Sequence, residues 1–263
     1  MHSVLARAHE SQIVDDPFPH LVIHEALERD YYRRLAAEFP AAQIILGGRT
    51  PVSNSNFRYA ASAILDDAQI SALWRDFVRY HVSQAFFNEV RALFEARIRQ
   101  LHPGLESSVG KPLADWQASV RFREPIRDIA LECQFTYGTP VDIRSRVIGP
   151  HVDREVALYA GLFYMRDEND DSEGGDLELY RFTTGTPQFD PDNRLVPDQR
   201  VTRCDTIRYA SNTLVFFLHS PYALHGVSPR APTRFPRRHI NLVGELATKV
   251  FDLSDLVVRS QSQ

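Results

Sequence analysis

A histidine and an aspartate two residues apart have the types and spacing that most favour metal chemistry in this chain of 263 residues. They stand in Gly149-Pro150-His151-Val152-Asp153, just before the apolar stretch ALYAGLFYM. In an extended backbone, residues i and i+2 point to the same side. His151 and Asp153 can therefore offer an imidazole nitrogen and a carboxylate to one metal ion. A second histidine would complete one face of the ion and leave its other positions open.

The third ligand is expected from a late strand, where the candidates are His219, His225 and His239. We favour His225, in the segment YALHGV, because it directly follows the strongly apolar stretch TLVFFLH. It comes 225 − 151 = 74 residues after the first histidine. An isolated H-x-D triplet is also typical of an ordinary turn that its aspartate caps. The prediction of a metal site therefore rests on the order of the surrounding elements.

The first half of the chain is predicted to be mostly helical. HLVIHEAL reads as a strand and ERDYYRRLAAEF as a helix that ends at Pro40, and residues 41–66 read as irregular. From Asp67 to Leu101, apolar residues recur at steps of three and four, which is the period of an amphipathic helix. That segment is long for one globular helix, so we expect a break near residues 80–83.

After Trp116 the helical period disappears and short apolar stretches follow one another. They are SVRFRE, IALECQFTY, ALYAGLFYM, DLELYRF, RVTRCDTIRY, TLVFFLH and HINLVGEL. Successive strands without long helices between them indicate antiparallel pairing in a sandwich or barrel. Residues 166–175 and 187–200 are predicted to be long loops that, with 41–66, shape the mouth of a pocket.

In this order of elements the chain resembles the 2-oxoglutarate/Fe(II)-dependent oxygenase superfamily, especially its prolyl-hydroxylase-like branch. The matching pieces are GPHVD, LYAGLFYM, GGDLELY, LHGVSP and RRHINLVG, within about residues 128–246. The resemblance implies an α+β, mainly β fold with a double-stranded β-helix (jelly-roll) core. Residues 1–263 would form one oxygenase domain, with mostly helical support over 1–115 and the core over 116–250.

The resemblance also implies which residues form the site. His151, Asp153 and His225 would be the metal ligands and the catalytic residues, with Fe(II) as the metal, 2-oxoglutarate as co-substrate and ascorbate as a candidate reductant. The family needs a basic residue on the strand after the second histidine, where it pairs with the distal carboxylate of 2-oxoglutarate. An arginine suits this task, because its planar fork meets a carboxylate in bidentate fashion.

The candidates for that basic residue are Arg234, Arg237 and Arg238. Arg237 and Arg238 point to opposite faces of a strand, so only one of them can do it. We favour Arg238, because Arg238-His239-Ile240 fits the family pattern. A hydroxyl at the place of Tyr164 can bond the same carboxylate. Weaker lining candidates are Tyr159, Asn241 and Gln134.

The expected reaction is hydroxylation of an unactivated C–H bond with release of succinate and carbon dioxide. Asp153 argues against halogenation, because halogenating members of the family lack this carboxylate. Small molecules, amino acids and peptides all stay open as substrates, and so does the oligomeric state. The alternatives are a cupin-type metal-dependent dioxygenase and a non-catalytic jelly-roll binding protein.

Composition limits the surroundings in which the protein is expected to work. The net charge of −4 and the pI of about 6.2 give no support to a nucleic-acid partner. No secretory signal or membrane segment is recognised in the sequence. Two cysteines, Cys133 and Cys204, are too few for a disulfide framework. We therefore expect the reducing cytoplasm, which also favours ferrous iron.

Overall fold

The computed structural model describes residues 3–189 and 194–256, and strand residues outnumber helical residues in these ranges. The α-helices are α1 (Arg29–Ala37), α2 (Ala42–Leu46), α3 (Ala61–Ile64), α4 (Ala72–His81), α5 (Gln84–Leu101) and α6 (Leu105–Val109). The strands are β1 (His20–His24), β2 (Asn56–Tyr59), β3 (Ala118–Val120), β4 (Ile129–Gly138), β5 (Ala157–Tyr164), β6 (Leu177–Phe182), β7 (Val201–Ile207), β8 (Thr213–Leu218), β9 (His225–Val227) and β10 (Arg237–Glu245).

The predicted break in the long helical segment is confirmed, since α4 ends at His81 and α5 begins at Gln84. Each helix has its own serine cap: Ser71 accepts a hydrogen bond from the Trp74 N–H and Ser83 accepts one from the Phe86 N–H. Such caps satisfy backbone donors that a helix start leaves unpaired. Among the described residues, no helix combines the length and apolar character that crossing a bilayer requires.

The prediction of an irregular segment over residues 41–66 is wrong in part, because α2, β2 and α3 lie there. Each has only four or five residues, too few for a periodic pattern. β2 forms because it pairs with β4, and Phe57 lies opposite Tyr137 in this pair. No separate strand is predicted at β9 for a similar reason: it has three residues and depends on pairing with β6.

Two sheets position the site. The main sheet has the order β1-β8-β5-β10-β4-β2, and β3 pairs with β4 off this path. The second sheet has the order β7-β6-β9. The predicted antiparallel pairing is confirmed for the pairs of named strands, with one exception. The pair of β3 with β4 is parallel.

Each face of the main sheet is covered by a different layer. On the helix-facing side, Phe135 of β4 packs against Trp74 of α4 with ring centroids 4.8 Å apart. On the other side, here called the inner face, Tyr164 and Phe217 pack with Leu177 and Leu179 of the second sheet. Buried apolar residues therefore occur at both odd and even positions of the central strands.

Candidate active site

The backbone itself brings the two predicted histidine ligands together. His151 lies before β5, and it pairs with His225 of β9 in an isolated antiparallel bridge. The His151 N–H donates to the His225 carbonyl at 2.8 Å, and the reverse bond is 3.0 Å. Residues directly opposite in such a pair project to the same side. The two imidazole rings consequently lie 4.3 Å apart, centroid to centroid.

Gly226 explains how the two backbones approach so closely. A Cβ atom at this position would lie 2.9 Å from the carbonyl carbon and oxygen of Gly149 and 3.1 Å from the nitrogen of Pro150. A side chain would therefore push β9 away from the loop that carries His151. The glycine of the LHGV segment is thus required by this close backbone approach.

His151, Asp153 and His225 converge as the sequence predicts. Each offers one ligand atom, and these three atoms all lie within 4.8 Å of one another. The His151 Nε2 is 3.7 Å from Asp153 Oδ1, and the His225 Nε2 is 3.8 Å from Asp153 Oδ2. This cluster of two imidazoles and one carboxylate is called the triad below.

Hydrogen bonds on the far side of each ring orient the histidines of the triad. The Nδ1 of His151 lies 2.9 Å from the Gly149 carbonyl, and the Nδ1 of His225 lies 3.0 Å from the Ala223 carbonyl. A carbonyl can only accept, so each Nδ1 carries the proton and each Nε2 keeps its lone pair. Metal-binding histidines typically show this arrangement.

The electrostatics of the triad also suit metal binding. Burial, together with the neighbouring His151, lowers the pKa of His225 to about 3, so its ring is neutral at pH 7. Desolvation alone would raise the pKa of Asp153, but the contact with His151 and the other surrounding histidines lower it overall. The site therefore presents a neutral imidazole and an ionised carboxylate, as ligation requires.

Part of the predicted long loop lies against the triad. Leu195 pairs with His151 in an isolated bridge. The Val152 N–H donates to the Arg194 carbonyl at 3.2 Å, and the Val196 N–H donates to the Pro150 carbonyl at 2.8 Å. Residues 190–193 of the same predicted loop lie outside the described residues.

Arg237 lies at the other end of the inner face, and it is 3% exposed. Its guanidinium carbon is 5.2 Å from the ring centroid of Tyr164 and 5.0 Å from that of Tyr209. The Nε donates to the Gly175 carbonyl at 2.7 Å, whereas the buried Nη2 has no hydrogen-bond partner within residues 3–189 and 194–256. The Tyr164 hydroxyl is also buried without a partner in these ranges. Two donors at this end of the inner face are thus left unsatisfied.

Arg238, the candidate favoured from the sequence, lies on the other side of β10 from Arg237. Strand alternation puts Arg238 on the helix-facing side, where its Nη2 lies 3.0 Å from Asp167 Oδ2. The same guanidinium lies over the ring of Phe39 at 5.1 Å. Arg234, the third candidate, lies before β10 with its guanidinium over the ring of Phe235. Arg237 is the candidate that faces inwards.

The weaker lining candidates divide between the two faces. Gln134 and Asn241 lie opposite each other on neighbouring strands, and they share the inner face with Tyr164 and Arg237. Tyr159 instead lies on the helix-facing side, stacked on Phe216 with centroids 4.9 Å apart.

His219, which was a candidate for the third ligand but not the favoured one, lies next to the triad in the fold. Its Nε2 lies 3.3 Å from Asp153 Oδ2. The available signal was strand alternation: Val215, Phe217 and His219 occupy every second position, and the first two lie in the inner-face cluster.

Comparisons with known proteins identify similar folds. No protein-family model and no curated protein matches the chain. An oxygenase candidate from Shewanella oneidensis is 11% identical, with a TM-score of 0.50 over 85% of this chain and 80% of that one. A prolyl-4-hydroxylase from Pseudomonas putida is 14% identical, with a TM-score of 0.43 over 87% of this chain and 93% of that one. The epimerase SnoN, solved with Fe3+, alpha-ketoglutarate and nogalamycin RO, is 14% identical, with a TM-score of 0.46 over 87% and 79%. The solved structures similar to this chain thus include a prolyl-4-hydroxylase, an alpha-ketoglutarate-dependent epimerase and an oxygenase candidate, and the similarity is one of fold.

Proposed function

We propose that this protein is an Fe(II)- and 2-oxoglutarate-dependent dioxygenase. It would hydroxylate an unactivated C–H bond of a small molecule or of an amino-acid or peptide substrate. In this proposal the two sheets form a double-stranded β-helix, and residues 1–263 form one oxygenase domain. The core cluster supports one domain, because it joins residues of the helical half, such as Trp74 and Phe94, to strand residues such as Phe135 and Leu242.

The donor set of the triad supports ferrous iron as the metal. His151, Asp153 and His225 supply two imidazole nitrogens and one carboxylate. Such a set leaves positions open for other ligands, which is typical of non-heme Fe(II) oxygenases. We propose these three residues as the metal ligands. When bound, iron and 2-oxoglutarate supply the oxidising chemistry and release succinate and carbon dioxide.

The proposal rests on one observation above the others, which is that the buried guanidinium of Arg237 has no counter-ion among the described residues. Arg237 and Arg230 are 3% and 1% exposed. Both donate to backbone carbonyls, and within the described ranges neither is paired with a carboxylate. A buried charge without a counter-ion is costly. These two arginines therefore favour an anionic ligand on the inner face, and the distal carboxylate of 2-oxoglutarate fits.

The geometry around Arg237 is suited to holding a carboxylate. Gly175 has a φ of +79°. Its carbonyl accepts a hydrogen bond from the Nε of Arg237, and the Nη2 of Arg237 has no hydrogen-bond partner among the described residues. Burial raises the pKa of Tyr164 to about 12, so its hydroxyl stays protonated and can donate. We propose that Arg237 and Tyr164 bind the distal carboxylate while the opposite end of 2-oxoglutarate meets the metal at the triad.

The remaining parts of the inner face would hold the substrate. Leu162, Asn241 and Val243 are half-buried on this face, between Arg237 and the triad. The side-chain oxygen of Asn241 is buried and has no hydrogen-bond partner among the residues that the structure describes. These residues offer apolar contact and one hydrogen-bonding group to a substrate that lies beside the metal.

The test is a calorimetric titration of the protein with 2-oxoglutarate under anaerobic conditions, with and without Fe(II). We expect binding that depends on the metal, and succinate release once oxygen and ascorbate are added. A cupin-type dioxygenase would bind iron but not 2-oxoglutarate. A non-catalytic jelly-roll protein would bind neither, and either result would refute the proposal.

A further inference from the structure

His219 is a fully buried histidine whose ring has no conventional role in the fold. It is 0% exposed, and neither ring nitrogen has a hydrogen-bond partner among the described residues. Leaving buried polar atoms unpaired costs free energy, so such groups call for an explanation. The backbone of His219 is well fixed: its N–H donates to the Leu158 carbonyl at 2.9 Å, and its carbonyl lies 2.9 Å from His102 Nε2.

The ring of His219 is aimed at the triad without belonging to it. Its Nε2 lies 3.3 Å from Asp153 Oδ2. Phe217 packs edge-on against both His219 and His225, at 5.2 Å and 4.8 Å between centroids. The ring of His219 is nevertheless 6.2 Å from that of His225, whereas His151 and His225 are 4.3 Å apart. His219 thus reaches the carboxylate ligand but stands outside the group of three ligand atoms.

We infer that His219 is a positioning residue for Asp153. When a metal is bound, its Nε2–H donates to Oδ2 of Asp153, and Oδ1, the oxygen that faces His151, is left for the ion. Contacts of this kind are often long without the ligand and shorten when it binds. This inference rests on the metal centre that we propose above.

The consequence concerns the open positions around the metal. A hydrogen bond to Oδ2 fixes the plane of the carboxylate and leaves Oδ1 as the better-placed ligand atom. Without the donor, the group is free to rotate and to place both oxygens on the ion. The second oxygen would then compete for a position that the co-substrate needs. His219 therefore both strengthens metal binding and keeps the site open.

The experiment is a titration of the metal-free protein with cobalt(II), followed by the visible absorption of the bound ion. The variants are His219→Phe, which keeps the ring shape without a donor, and His219→Gln, which keeps an N–H donor. Loss of a hydrogen-bonding partner of a metal ligand typically weakens metal binding by about tenfold to hundredfold. We expect that loss in the phenylalanine variant and recovery of most of it in the glutamine variant.

Thermal unfolding of the metal-free proteins separates positioning from folding. His219→Phe removes two unpaired buried nitrogens, so its melting temperature should be no lower than that of the wild type. His81→Phe is the matched control: His81 is also 0% exposed, but it lies in α4 and its Nδ1 contacts the Phe77 carbonyl. Its cobalt affinity should be unchanged.

The outcomes are distinguishable. Equal cobalt affinity in the wild type and both His219 variants overturns the inference and leaves the metal centre standing. Equal losses in the phenylalanine and glutamine variants also overturn it, because the donor would then not be the cause. A wild-type protein that binds no cobalt refutes the metal centre and this inference with it.

Discussion

The two faces of the main sheet differ in the kind of side chain that they bury. The helix-facing side is packed by aromatic contacts, such as those of Phe135 with Trp74 and Phe39. On the inner face, buried polar atoms of Tyr164, Arg237 and Asn241 lack partners in the part of the chain that the structure describes. The comparison indicates that the first face supplies stability, whereas the second is built to receive ligands. Substitutions on the two faces should therefore separate folding from binding.

The largest effect is expected from the three residues proposed as metal ligands at the end of the inner face. His151→Ala or Asp153→Ala removes one of the three proposed ligands, so iron binding and turnover should both be lost. The fold should persist, because neither side chain belongs to the apolar core. Iron content after anaerobic loading and the circular dichroism spectrum measure the two properties. His24→Ala, on an exposed histidine, is the control, and full activity in either ligand variant would contradict the assignment.

The next effect is on the opposite face and should appear in stability alone. Phe135 is 0% exposed, and truncating a buried phenylalanine to alanine costs about 3–5 kcal/mol. Phe135→Ala should lower the free energy of unfolding by that amount in urea titrations. Binding of 2-oxoglutarate to the remaining folded protein should be unchanged. A selective loss of binding would mean that the two faces are not separable.

Arg237→Ala tests the basic end of the inner face. Removing one partner of a buried, hydrogen-bonded charge pair costs about 2–5 kcal/mol, and about 1.4 kcal/mol corresponds to a factor of ten. Affinity for 2-oxoglutarate should therefore fall by roughly thirtyfold or more, while iron affinity should change little. Arg237→Lys should recover part of the loss, because lysine lacks the planar fork. Calorimetry on the metal-loaded proteins is the measurement.

Tyr164→Phe should give a smaller loss at the same end. A hydrogen bond to a charged group contributes about 1.5–3 kcal/mol, so 2-oxoglutarate affinity should fall by about tenfold or more. The ring and its packing against Tyr209 would be kept, so stability should not fall. An unchanged affinity would show that Arg237 holds the carboxylate without help from this hydroxyl.

Local patterns in the sequence were sufficient to predict the triad and the main strands. His151 and Asp153 are two residues apart, so their common side follows from backbone alternation alone. α4 and α5 follow from a long apolar period, and their break was placed correctly. By contrast, α2, β2, α3 and β9 are too short to carry a period, and they depend on distant partners such as β4 and β6.

The register of β10 shows where local information ends. Ile240 and Leu242 face the helices, whereas Arg237 and His239 face the second sheet, and all four are buried. The pattern His239-Ile240-Asn241-Leu242 separates a polar side, which includes Arg237, from an apolar side, which includes Arg238. Because both sides of the strand are buried, this pattern does not show which side faces the triad. The contacts of each arginine show which side of the strand it faces. Arg238 contacts Asp167 and Phe39, and Arg237 contacts Gly175 and Tyr164.

Arg238→Ala should have the smallest effect, and it is the matched control for Arg237→Ala. Its ion pair with Asp167 is partly exposed, and such pairs contribute about 0.2–1 kcal/mol. Its position over Phe39 adds about 0.5–1 kcal/mol. Urea titrations should therefore show a loss of at most about 2 kcal/mol in the free energy of unfolding, and calorimetry should show unchanged affinity for 2-oxoglutarate.

If Arg238→Ala instead weakens 2-oxoglutarate binding and Arg237→Ala does not, the two faces have been assigned the wrong way round. Because the two arginines are adjacent and differ only in the face they occupy, this pair tests the comparison with the least change in sequence.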